Sequence, residues 1–319
     1  PPPAPAAPPG RWDSMAGMSL TITTVNVNGV RAATKKRNEN NHGMLAWLAE
    51  AQPDVVLLEE VRATDEQTEK ALRPALEEGW HYVGAPAAAK GRAGVGILSK
   101  EPLTDVEIGL GSFSDAGRWI EGTYPKGDVR VAALYLPSGS QNTEKQDDKF
   151  QFLDEFSEVL ADRAERYPRM VIGGDWNICH RREDLKNWKG NLKVSGFLPD
   201  ERRFLDSVFG TFPDEESQVE GGVGEFYGAV NYSGGPSRTP ADRPRWFDVA
   251  RHLQPEGDGP YTWWTYRGRA FDNDAGWRID YQAATKDMLD LAEESWVDRA
   301  ASVEERWSDH APLNVRYDL

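Results

Sequence analysis

Short apolar segments that end in polar residues constrain the fold of this chain more than any other feature of its sequence. They either alternate apolar and polar residues or are apolar throughout, as strands are. Some are separated by segments with helical spacing and others only by turns, which favours a mixed α/β domain over a regular βαβ series. The predicted strands cover residues 20–28, 55–60, 95–99, 129–137, 170–177 and 278–285.

Three segments carry the pattern of helices. In residues 41–51 apolar side chains recur at helical spacing, and Pro53 ends the pattern. The segment Thr64 to Gln67 has the pattern of a capping box, which predicts the start of a second helix. Residues 147–166 are predicted to form a long helix. Its apolar face would consist of Phe150, Leu153, Phe156 and Leu160.

Composition restricts the class of protein. Hydrophobic residues make up 39% of the 319 residues, which is enough for a folded core and too much for a disordered chain. Acidic residues exceed basic ones by 52 to 37, which argues against a surface that coats nucleic acid or anionic membranes as a whole. A locally basic face remains compatible with this balance. The single cysteine, Cys179, excludes a disulfide framework.

The domain organisation follows from changes in composition along the chain. We expect the Pro- and Ala-rich residues 1–18 to be a disordered leader, and residues 19–319 to form a single catalytic domain. Residues 214–243 are rich in Gly, Ser and acids and are interpreted as a surface insertion. The leader lacks the regions of a signal peptide, and no apolar run approaches the length of a membrane span. We therefore expect a soluble, cytoplasmic protein that acts as a monomer and does not bind membranes.

Polar groups recur at the ends of the predicted strands. Any one of them is more often a helix cap or a solvated end, but their recurrence favours a shared site at the edge of the sheet. Oxygen ligands without a Cys/His cluster suit Mg²⁺ or Mn²⁺ better than zinc. Amide, phenol and imidazole groups can bind a phosphoryl oxygen, and a carboxylate can orient or deprotonate water. This set indicates metal-assisted phosphodiester hydrolysis: Asn26, Asn28, Glu60, Tyr135, Asp175, Asn177, Asp280, Asp309 and His310.

Tryptophans and basic residues share the later segments of the chain. Aromatic rings beside arginines suit a surface that binds phosphates and packs against sugars or bases. Core packing is the alternative, and we expect it for at least one of Trp263 and Trp264. Residues 181–203 hold seven basic residues and four acidic ones, a local excess of positive charge in a chain whose net charge is -15. This segment is interpreted as a DNA-contacting stripe rather than a solvated loop.

Together these motifs resemble the exonuclease III / apurinic-apyrimidinic endonuclease family of the endonuclease/exonuclease/phosphatase superfamily. The resemblance runs from about residue 19 to the C-terminus, and the order of the motifs makes it specific. LEEVRA departs from the L-Q-E-T-K of most relatives, and Val194 stands where relatives often carry Asn. The resemblance implies an α/β fold, a four-layer α/β sandwich of two packed mixed β-sheets flanked by helices. The motifs are NVNGVRA (26–32), LEEVRA (58–63), GVGILSK (94–100), GRWIE (117–121), LYLPSG (134–139), GDWNICH (174–180), NWKGNLKVSGFLPDERRFLD (187–206), YTWWTYRGRAFDNDAGWRIDY (261–281) and SDHAPL (308–313).

The resemblance also implies roles for the residues that would bind metal and water. Glu60 matches the principal metal-binding acid, with Asn28 close to the ion and Asp309 as a further ligand. Asp175 matches the acid that activates or positions the attacking water. Asn177 matches the partner that holds this water and the phosphate.

Further roles concern the phosphate. His310 matches the imidazole that contacts the scissile phosphate, and Asp280 matches the acid that orients it. Tyr135 matches the phenol near the phosphate and the leaving oxygen, and Asn26 matches the amide near the catalytic acid. Trp263 and Trp277 match the walls of a pocket for an extruded abasic sugar, and Asn191 matches the amide of the K-G-N loop, residues 189–191. The residues expected to bind substrate are Asn191, Trp263, Trp277, Arg278, Lys189 and Arg267.

The function implied by this resemblance is that of a DNA-repair nuclease that uses Mg²⁺, or Mn²⁺ in its place. It would cut 5′ to abasic sites in double-stranded DNA and trim 3′ ends. One alternative is a phosphatase or phosphodiesterase of the superfamily that acts on a non-nucleic substrate, against which the GWRIDY block and the basic K-G-N loop argue. Another is a catalytically inactive DNA-binding relative, against which the complete polar set argues. The balance of the two nuclease activities and the number of metal ions stay open.

Overall fold

The computed structural model describes residues 18–219 and 224–319, so the predicted leader lies outside the described residues except for Met18. In these ranges the chain forms two six-stranded β-sheets with helices packed outside them. The strands are β1 (Ser19–Asn26), β2 (Val55–Glu59), β3 (His81–Ala85), β4 (Val95–Ser99), β5 (Thr104–Ile108), β6 (Trp119–Tyr124), β7 (Val129–Tyr135), β8 (Met170–Asp175), β9 (Phe247–Asp248), β10 (Asp280–Ala284), β11 (Ala292–Val297) and β12 (Leu313–Asp318). The α-helices are α1 (Val30–Ala33), α2 (Met44–Ala51), α3 (Asp65–Ala71), α4 (Arg73–Glu77), α5 (Glu144–Arg166), α6 (Pro199–Phe209), α7 (Val249–Leu253) and α8 (Lys286–Leu291).

Both sheets are mixed and are built around a parallel pair of strands. The first sheet has the order β11-β12-β1-β2-β4-β3, and the second has the order β5-β6-β7-β8-β10-β9. β1 and β2 run parallel in the first sheet, as β7 and β8 do in the second, and the other pairs are antiparallel. The predicted four-layer α/β sandwich with two mixed sheets is therefore confirmed.

A fully buried apolar layer holds the two sheets together. It includes Ile22 and Leu57 from the first sheet and Val131 and Val171 from the second, all with 0% exposure. Burying a side chain of this kind stabilises the fold by roughly 1.5–3 kcal/mol relative to leaving it in water. β2 is apolar along nearly its whole length because both of its faces are buried between layers. β1 alternates at its start, where two residues are only partly buried, and is buried from there on.

Helices cover the outer face of each sheet. The predicted apolar face of α5 is buried against the second sheet, although the helix begins at Glu144, before the predicted start. α2 packs on the first sheet through Met44 and Leu48, and it ends before Pro53 as predicted. The capping box at Thr64 and Gln67 is present, with both hydrogen bonds at 3.1 Å. In the described ranges, no helix is both long and apolar enough to cross a membrane.

Several elements differ from the sequence-based expectations. β1 ends at Asn26 and not at residue 28, because the chain then turns through positive φ angles. The elements that were not predicted are strands β3, β5, β6, β9, β11 and β12 and helices α1, α4, α6, α7 and α8. Every residue of β5 is exposed, so this edge strand has no apolar run. In β6, Glu121 is buried because Arg130 and Arg163 bind its carboxylate.

The described parts of the segment 214–243 are held to the rest of the domain by specific contacts. Tyr232 packs on Phe150 of α5 at 5.4 Å between ring centroids. Asp147, also on α5, accepts backbone hydrogen bonds from residues 230–232. Asp214 binds the guanidinium of Arg181 at 3.0 Å. The interpretation of this segment as an insertion stays a prediction, and residues 220–223 within it lie outside the described ranges.

Candidate active site

The ends of the two parallel strand pairs bring the predicted catalytic residues together. In the first sheet, Asn26 at the end of β1 pairs with Glu59 at the end of β2. In the second, Tyr135 at the end of β7 pairs with Asp175 at the end of β8. Asp280, the first residue of antiparallel β10, also pairs with Asp175. The two sheets thus present polar side chains at a common edge, where α/β proteins usually build their sites.

Sharp turns follow these strand ends. Asn28, Glu60 and Asn177 have φ angles of 47°, 49° and 50°, which are uncommon for residues other than glycine. Each of them belongs to the predicted site. Backbone strain of this kind persists where the surrounding structure fixes it, and it is frequent at functional sites.

Asp175, Asp280 and His310 form a buried ionisable group. His310 Nδ1 lies 2.8 Å from Asp280 Oδ2, and its Nε2 lies 3.6 Å from Asp175 Oδ2. Burial opposes a charged imidazole, but the carboxylates of Asp280 and Asp175 raise the pKa of His310 well above its ordinary value. Burial raises the pKa of Asp175 to about 7, a rise that His310 opposes and Asp280 increases. The sequence-based pairing of His310 with Asp280 matches this geometry.

Glu60 accepts hydrogen bonds from both sheets. The Tyr135 hydroxyl donates to Glu60 Oε1 at 2.8 Å, and Asn26 Nδ2 donates to the same oxygen at 3.1 Å. Asn26 Nδ2 also donates to Asp175 Oδ2 at 2.9 Å, so this amide joins the two carboxylates. Burial and the charges of Glu60 and Asp175 raise the pKa of Tyr135 above its ordinary value. The tyrosine is therefore a neutral hydrogen-bond donor at physiological pH.

A buried lysine fixes the loop that carries Asn177. The Asn177 side chain donates to the Leu136 carbonyl at 2.7 Å, and its backbone N–H donates to Asp175 Oδ1 at 3.0 Å. Lys149 Nζ donates to the carbonyl oxygens of Asn177 at 2.9 Å and Ser138 at 3.1 Å. It is fully buried and forms an ion pair with Glu201 at 2.5 Å. Lys149 thus acts as a positioning residue for the turn after β8.

A pocket with two tryptophan walls lies beside this group. Its cavity of about 540 Å³ is lined by Trp263 and Trp277 as well as by Asp175 and His310. The two indole rings are 5.9 Å apart and nearly perpendicular. Gly196 permits this arrangement, because a Cβ there would lie 2.8 Å from the Trp277 ring and its φ is 101°.

The neighbouring Trp264 has a different place in the structure. It is 1% exposed and packs edge-on against Phe271 at 5.2 Å. Trp263 is only half-buried and lines the pocket. The expectation that one residue of this adjacent pair belongs to the core is therefore confirmed.

The oxygen donors of the site suit a divalent cation of the Mg²⁺ type. Glu60 Oε2 is buried and accepts no hydrogen bond, although the Arg62 guanidinium lies 2.6 Å away. The backbone N–H of Gly29 donates to the Glu60 carbonyl at 2.8 Å, which brings the turn containing Asn28 beside Glu60. Asp309 lines the same pocket as Glu60, and its Oδ2 accepts from Trp263 Nε1 at 3.2 Å.

A second group with ligand spacing consists of Asp175, Asp280 and His310, whose ligand atoms lie within 4.8 Å of one another. In this group His310 Nδ1 already binds Asp280, and the raised pKa of His310 favours the imidazolium, which cannot bind a cation. Asp280 Oδ1 is buried and accepts no hydrogen bond. The donor chemistry therefore favours Glu60 over this group as the principal metal-binding residue.

The predicted DNA-binding residues have different environments. Asn191 donates to the Asn187 carbonyl at 2.7 Å within the loop after β8, and Lys189 is exposed with its ammonium 5.5 Å from the Trp188 ring. Arg267 is exposed in the loop that follows Trp264. These residues are accessible to a ligand.

Arg278 contradicts the expectation of a DNA contact. It is 2% exposed, and its guanidinium binds Asp184 at 2.8 Å and Asp248 at 2.5 Å. These two acids come from distant parts of the sequence, so the pattern around Arg278 could not reveal them. Its role in the structure is to hold the segment before β10.

Two residues of the site escaped the sequence analysis. The guanidinium of Arg118 lies over the Tyr135 ring at 4.9 Å, and the motif GRWIE that contains it could have indicated its place. Glu59 is fully buried beneath the site, where the Thr24 hydroxyl donates to its carboxyl oxygens at 3.0 and 3.2 Å. Burial, together with the charges of Asp280 and Asp175, raises the pKa of Glu59 well above its ordinary value. The departure from L-Q-E-T-K at this position was the available signal.

The fold and this site define a four-layer α/β sandwich protein with a polar, hydrolase-like site at the common edge of its two sheets. Residues 23–310 match the Endonuclease/Exonuclease/phosphatase family, and the chain belongs to this family. An exodeoxyribonuclease of Bacillus subtilis is 28% identical over 93% of this chain and 98% of its own length. The DNA repair nuclease APEX1 of Danio rerio is 27% identical over 97% of this chain and 86% of its own length.

Solved structures give the same picture. The 3′-5′ exonuclease NExo from Neisseria meningitidis matches with a TM-score of 0.73 and 26% identity, over 94% of this chain and 100% of that one. A variant of the 3′ phosphatase NExo from Neisseria, bound to a product DNA hairpin, matches with a TM-score of 0.74 and 25% identity, over the same shares of the two chains. An AP endonuclease from Archaeoglobus fulgidus shares the fold with a TM-score of 0.72 at 24% identity, again with 94% and 100% coverage.

Proposed function

We propose that this protein is a metal-dependent DNA-repair nuclease that hydrolyses the phosphodiester bond 5′ to abasic sites and trims 3′ ends of double-stranded DNA. The observation that carries the proposal is the opening of a buried carboxylate–histidine–tyrosine group into a pocket walled by Trp263 and Trp277. The names of the similar proteins, an exodeoxyribonuclease and a DNA repair nuclease, support the same substrate class.

The residues of the site have distinct roles in this reaction. His310, whose Nδ1 is held by Asp280, donates a hydrogen bond from Nε2 to the phosphate, where negative charge develops as the bond breaks. Asp175 orients the attacking water and accepts its proton, for which a pKa of about 7 is well suited. Asn177, fixed by its own hydrogen bonds beside Asp175, holds the water and the phosphate. Tyr135 stays protonated, and its one hydroxyl proton, which it donates to Glu60 Oε1 in the absence of substrate, would turn to the phosphate or to the leaving oxygen when substrate binds.

Mg²⁺, with Mn²⁺ as a substitute, is the proposed cofactor. Glu60 would hold it, with Asp309 in the lining of the same pocket and Asn28 in the turn that lies beside Glu60. A bound divalent cation would supply Lewis-acid stabilisation of charge on the phosphate oxygens. The oxygen donors that Glu60, Asn28 and Asp309 offer support this assignment.

Substrate choice is assigned to the two tryptophans. An abasic nucleotide has no base, so it can enter a narrow apolar space that a normal nucleotide would not fit. The nearly perpendicular rings of Trp263 and Trp277 and their position in the pocket support such a role. Asn191, Lys189 and Arg267 are proposed to bind the DNA backbone around it. A monomeric state and a cytoplasmic location stay predictions of the sequence.

The test compares three duplexes: one with a central abasic-site analogue, one with a recessed 3′ hydroxyl end, and one with a 3′ phosphate. Each is incubated with Mg²⁺, with Mn²⁺ and with EDTA, and the products are separated by length. We expect incision 5′ to the analogue and shortening of the 3′ end, both abolished by EDTA. Release of phosphate alone from the third duplex would favour a 3′ phosphatase, the activity named for one of the similar structures.

A variant of the pocket tests substrate choice separately from chemistry. Trp277→Ala should reduce abasic incision by about 10-fold or more and relax discrimination against normal nucleotides, because a wall that excludes bases is lost. Its dependence on Mg²⁺ should not change. If Trp277 only supported the fold, the same substitution would lower the melting temperature and would reduce activity on every duplex by the same factor. Cleavage of a non-nucleic phosphodiester in preference to all three duplexes would contradict the proposed function.

A further inference from the structure

A second cavity, nearly as large as the catalytic pocket, lies at the opposite end of β1. It has a volume of about 500 Å³ and shares no lining residue with the catalytic pocket in the described part of the chain. Its walls come from α2, from the loop before β2 and from the segment that joins β11 to the SDHAPL motif. We refer to it as the tryptophan cleft, after Trp47, Trp296 and Trp307, which line it.

The aromatic walls of the tryptophan cleft are accessible. All three indoles are only half-buried, and the rings of Trp47 and Trp307 lie 5.9 Å apart at a tilt of 43°. Trp47 Nε1 donates to Asp298 Oδ2 at 2.8 Å, and Asn314 Nδ2 donates to the same oxygen at 3.0 Å. These bonds fix one indole and one carboxylate in the wall of the cleft. A surface that is built in this way keeps its shape without a ligand.

The charge of the tryptophan cleft is negative. Glu50, Asp298 and Glu305 line it, and Glu50 is exposed. Arg299 also lines it, but its guanidinium turns away, to a position 3.9 Å from the Phe271 ring, and donates to the Phe271 carbonyl. Arg299 is thus the one cation among the described lining residues, against three carboxylates, and its guanidinium is already engaged with Phe271, so the lining keeps an excess of negative charge.

Aromatic faces with carboxylates around them bind cations. A lysine ammonium or an arginine guanidinium over an indole gains about 0.5–1 kcal/mol at an exposed site and more where water is excluded. Carboxylates at the rim add attraction that depends on ionic strength. The same charges repel the phosphates of nucleic acid, so the cleft is unsuited to the DNA that is proposed for the catalytic pocket.

We propose that the tryptophan cleft is a docking site for a basic segment of a partner protein, which places a lysine or arginine side chain against the accessible faces of Trp47, Trp296 and Trp307. Charge complementarity selects this occupant, because the cleft is acidic and the whole chain has a net charge of -15. A cavity of about 500 Å³ has room for such a side chain together with its neighbours. The site is independent of the nuclease function, since it lies outside the catalytic pocket.

The experiment follows the indole N–H signals of the ¹⁵N-labelled full chain by NMR, with signals of the cleft assigned through Trp296→Phe and Trp47→Phe. The probe is a short acetylated and amidated peptide with two lysines, and its counterpart with two glutamates serves as the control ligand. We expect saturable shifts of the cleft indoles with the lysine peptide alone. The Glu50→Gln/Glu305→Gln double variant should bind it about fivefold more weakly, whereas Glu158→Gln on the exposed face of α5 should bind it as the unchanged protein does.

The remaining outcomes contradict the proposal. Equal binding of both peptides, or unchanged binding by the double variant, would show that the cleft does not select positive charge. Shifts of these indoles on dilution of the protein alone would assign the cleft to a second copy of the chain, and shifts with duplex DNA would assign it to nucleic acid. Nuclease activity of the double variant is expected to equal that of the unchanged protein, so the test is separate from that of the proposed function.

Discussion

Two buried groups of charged residues behave in opposite ways, although each contains a residue of the same sequence motif, residues 261–281. The catalytic cluster consists of Glu60, Asp175, Asp280 and His310, and the anchoring cluster consists of Asp184, Asp248, Arg251 and Arg278. In the anchoring cluster two carboxylates meet two guanidinium groups. In the catalytic cluster Asp175 and Asp280 share one imidazole, and Glu60 is paired only with the partly exposed guanidinium of Arg62. Arg278 and Asp280 are two residues apart, yet each belongs to a different cluster.

The pKa values show what this difference does. Burial would raise the pKa of Asp184, but Arg278 and Arg251 hold it well below its usual range. Asp175 is nearly as buried, and there burial raises the pKa to about 7, because His310 is the one cation that opposes the rise, with help from the Asn26 hydrogen bond, while Asp280 and Glu60 increase it. Burial therefore does not determine the ionisation of a carboxyl by itself; the number of matched cations does. The anchoring cluster is complete without a ligand, whereas the catalytic cluster gains from a divalent cation.

The largest effect is expected from Asp175→Asn in the catalytic cluster. The amide keeps the shape and can still bond to Asn26, but it cannot accept a proton from water. Incision should fall by about 1,000-fold or more. The melting temperature should stay the same or rise, since a buried charge is removed. A loss of activity that merely follows a loss of folded protein, measured by circular dichroism, would argue against a role in the chemistry.

In the anchoring cluster we expect the reverse result. Arg278→Met removes the ion-pair partner of Asp248 and leaves Asp184 with Arg251 alone, and breaking a buried ion pair on one side costs about 3–5 kcal/mol. The free energy of unfolding should fall by this amount, and activity per folded molecule should change little. The control is Arg269→Met in the same sequence motif, where the side chain is 78% exposed. An Arg278→Met protein with normal stability and weakened DNA binding would restore the DNA contact that the structure contradicts.

The two clusters also show how far the sequence could predict this site. Asp175, Asn177 and Tyr135 were found because they follow apolar strands, and parallel strands bring such ends to one edge. Arg278 was misjudged because Asp184 and Asp248 are distant in sequence, so its burial depends on tertiary contacts that no local pattern contains. A basic residue next to tryptophans has the same local pattern whether it binds phosphate or a buried acid.

The fold shows the same division. β2 and β8 were predicted because both faces of these central strands are buried, which makes them apolar throughout. β5 and β11 lie at sheet edges; β5 is exposed and β11 has no fully buried residue, so their sequences resemble loops. Hydrogen bonding to a neighbouring strand forms them, and the neighbour is not visible in a local window.

A smaller effect is expected from Glu60→Gln, which changes the catalytic cluster by weakening its binding of the metal. The amide can still accept from Tyr135 and Asn26, but it lacks the charge that a divalent cation favours. At limiting Mg²⁺ incision should fall by about 10-fold or more, and the defect should shrink as Mg²⁺ rises. Titrations of activity against Mg²⁺ measure this. A defect of equal size at all concentrations would remove Glu60 from the ligand set.

The smallest effect is expected from Glu59→Gln, and its sign is opposite to that of the Arg278 variant. The pKa of Glu59 is raised above 4.5, chiefly by burial and then by Asp280 and Asp175, whereas the Thr24 hydroxyl opposes the rise. An acid with a raised pKa in the folded state binds its proton more tightly there than in the unfolded chain. Stability is therefore complete below the unfolded pKa and is lost as the pH rises through the folded pKa. Glutamine cannot titrate, and its carbonyl can still accept from Thr24.

In EDTA at pH 8 we expect Glu59→Gln to melt a few degrees higher than the unchanged protein, and at pH 4.5 the difference should disappear. Thermal melts across this pH range measure it, with Glu158→Gln as the exposed control. A variant that is less stable at pH 8 would mean that Glu59 has a partner that favours its charged form. Glu59 would then not be a source of the repulsion between carboxylates at the catalytic edge. The expected result would show that a neutral side chain at position 59 relieves the repulsion between carboxylates beneath the site. Removal of Arg278 has the opposite effect, because it leaves a buried carboxylate in the anchoring cluster without a matching cation.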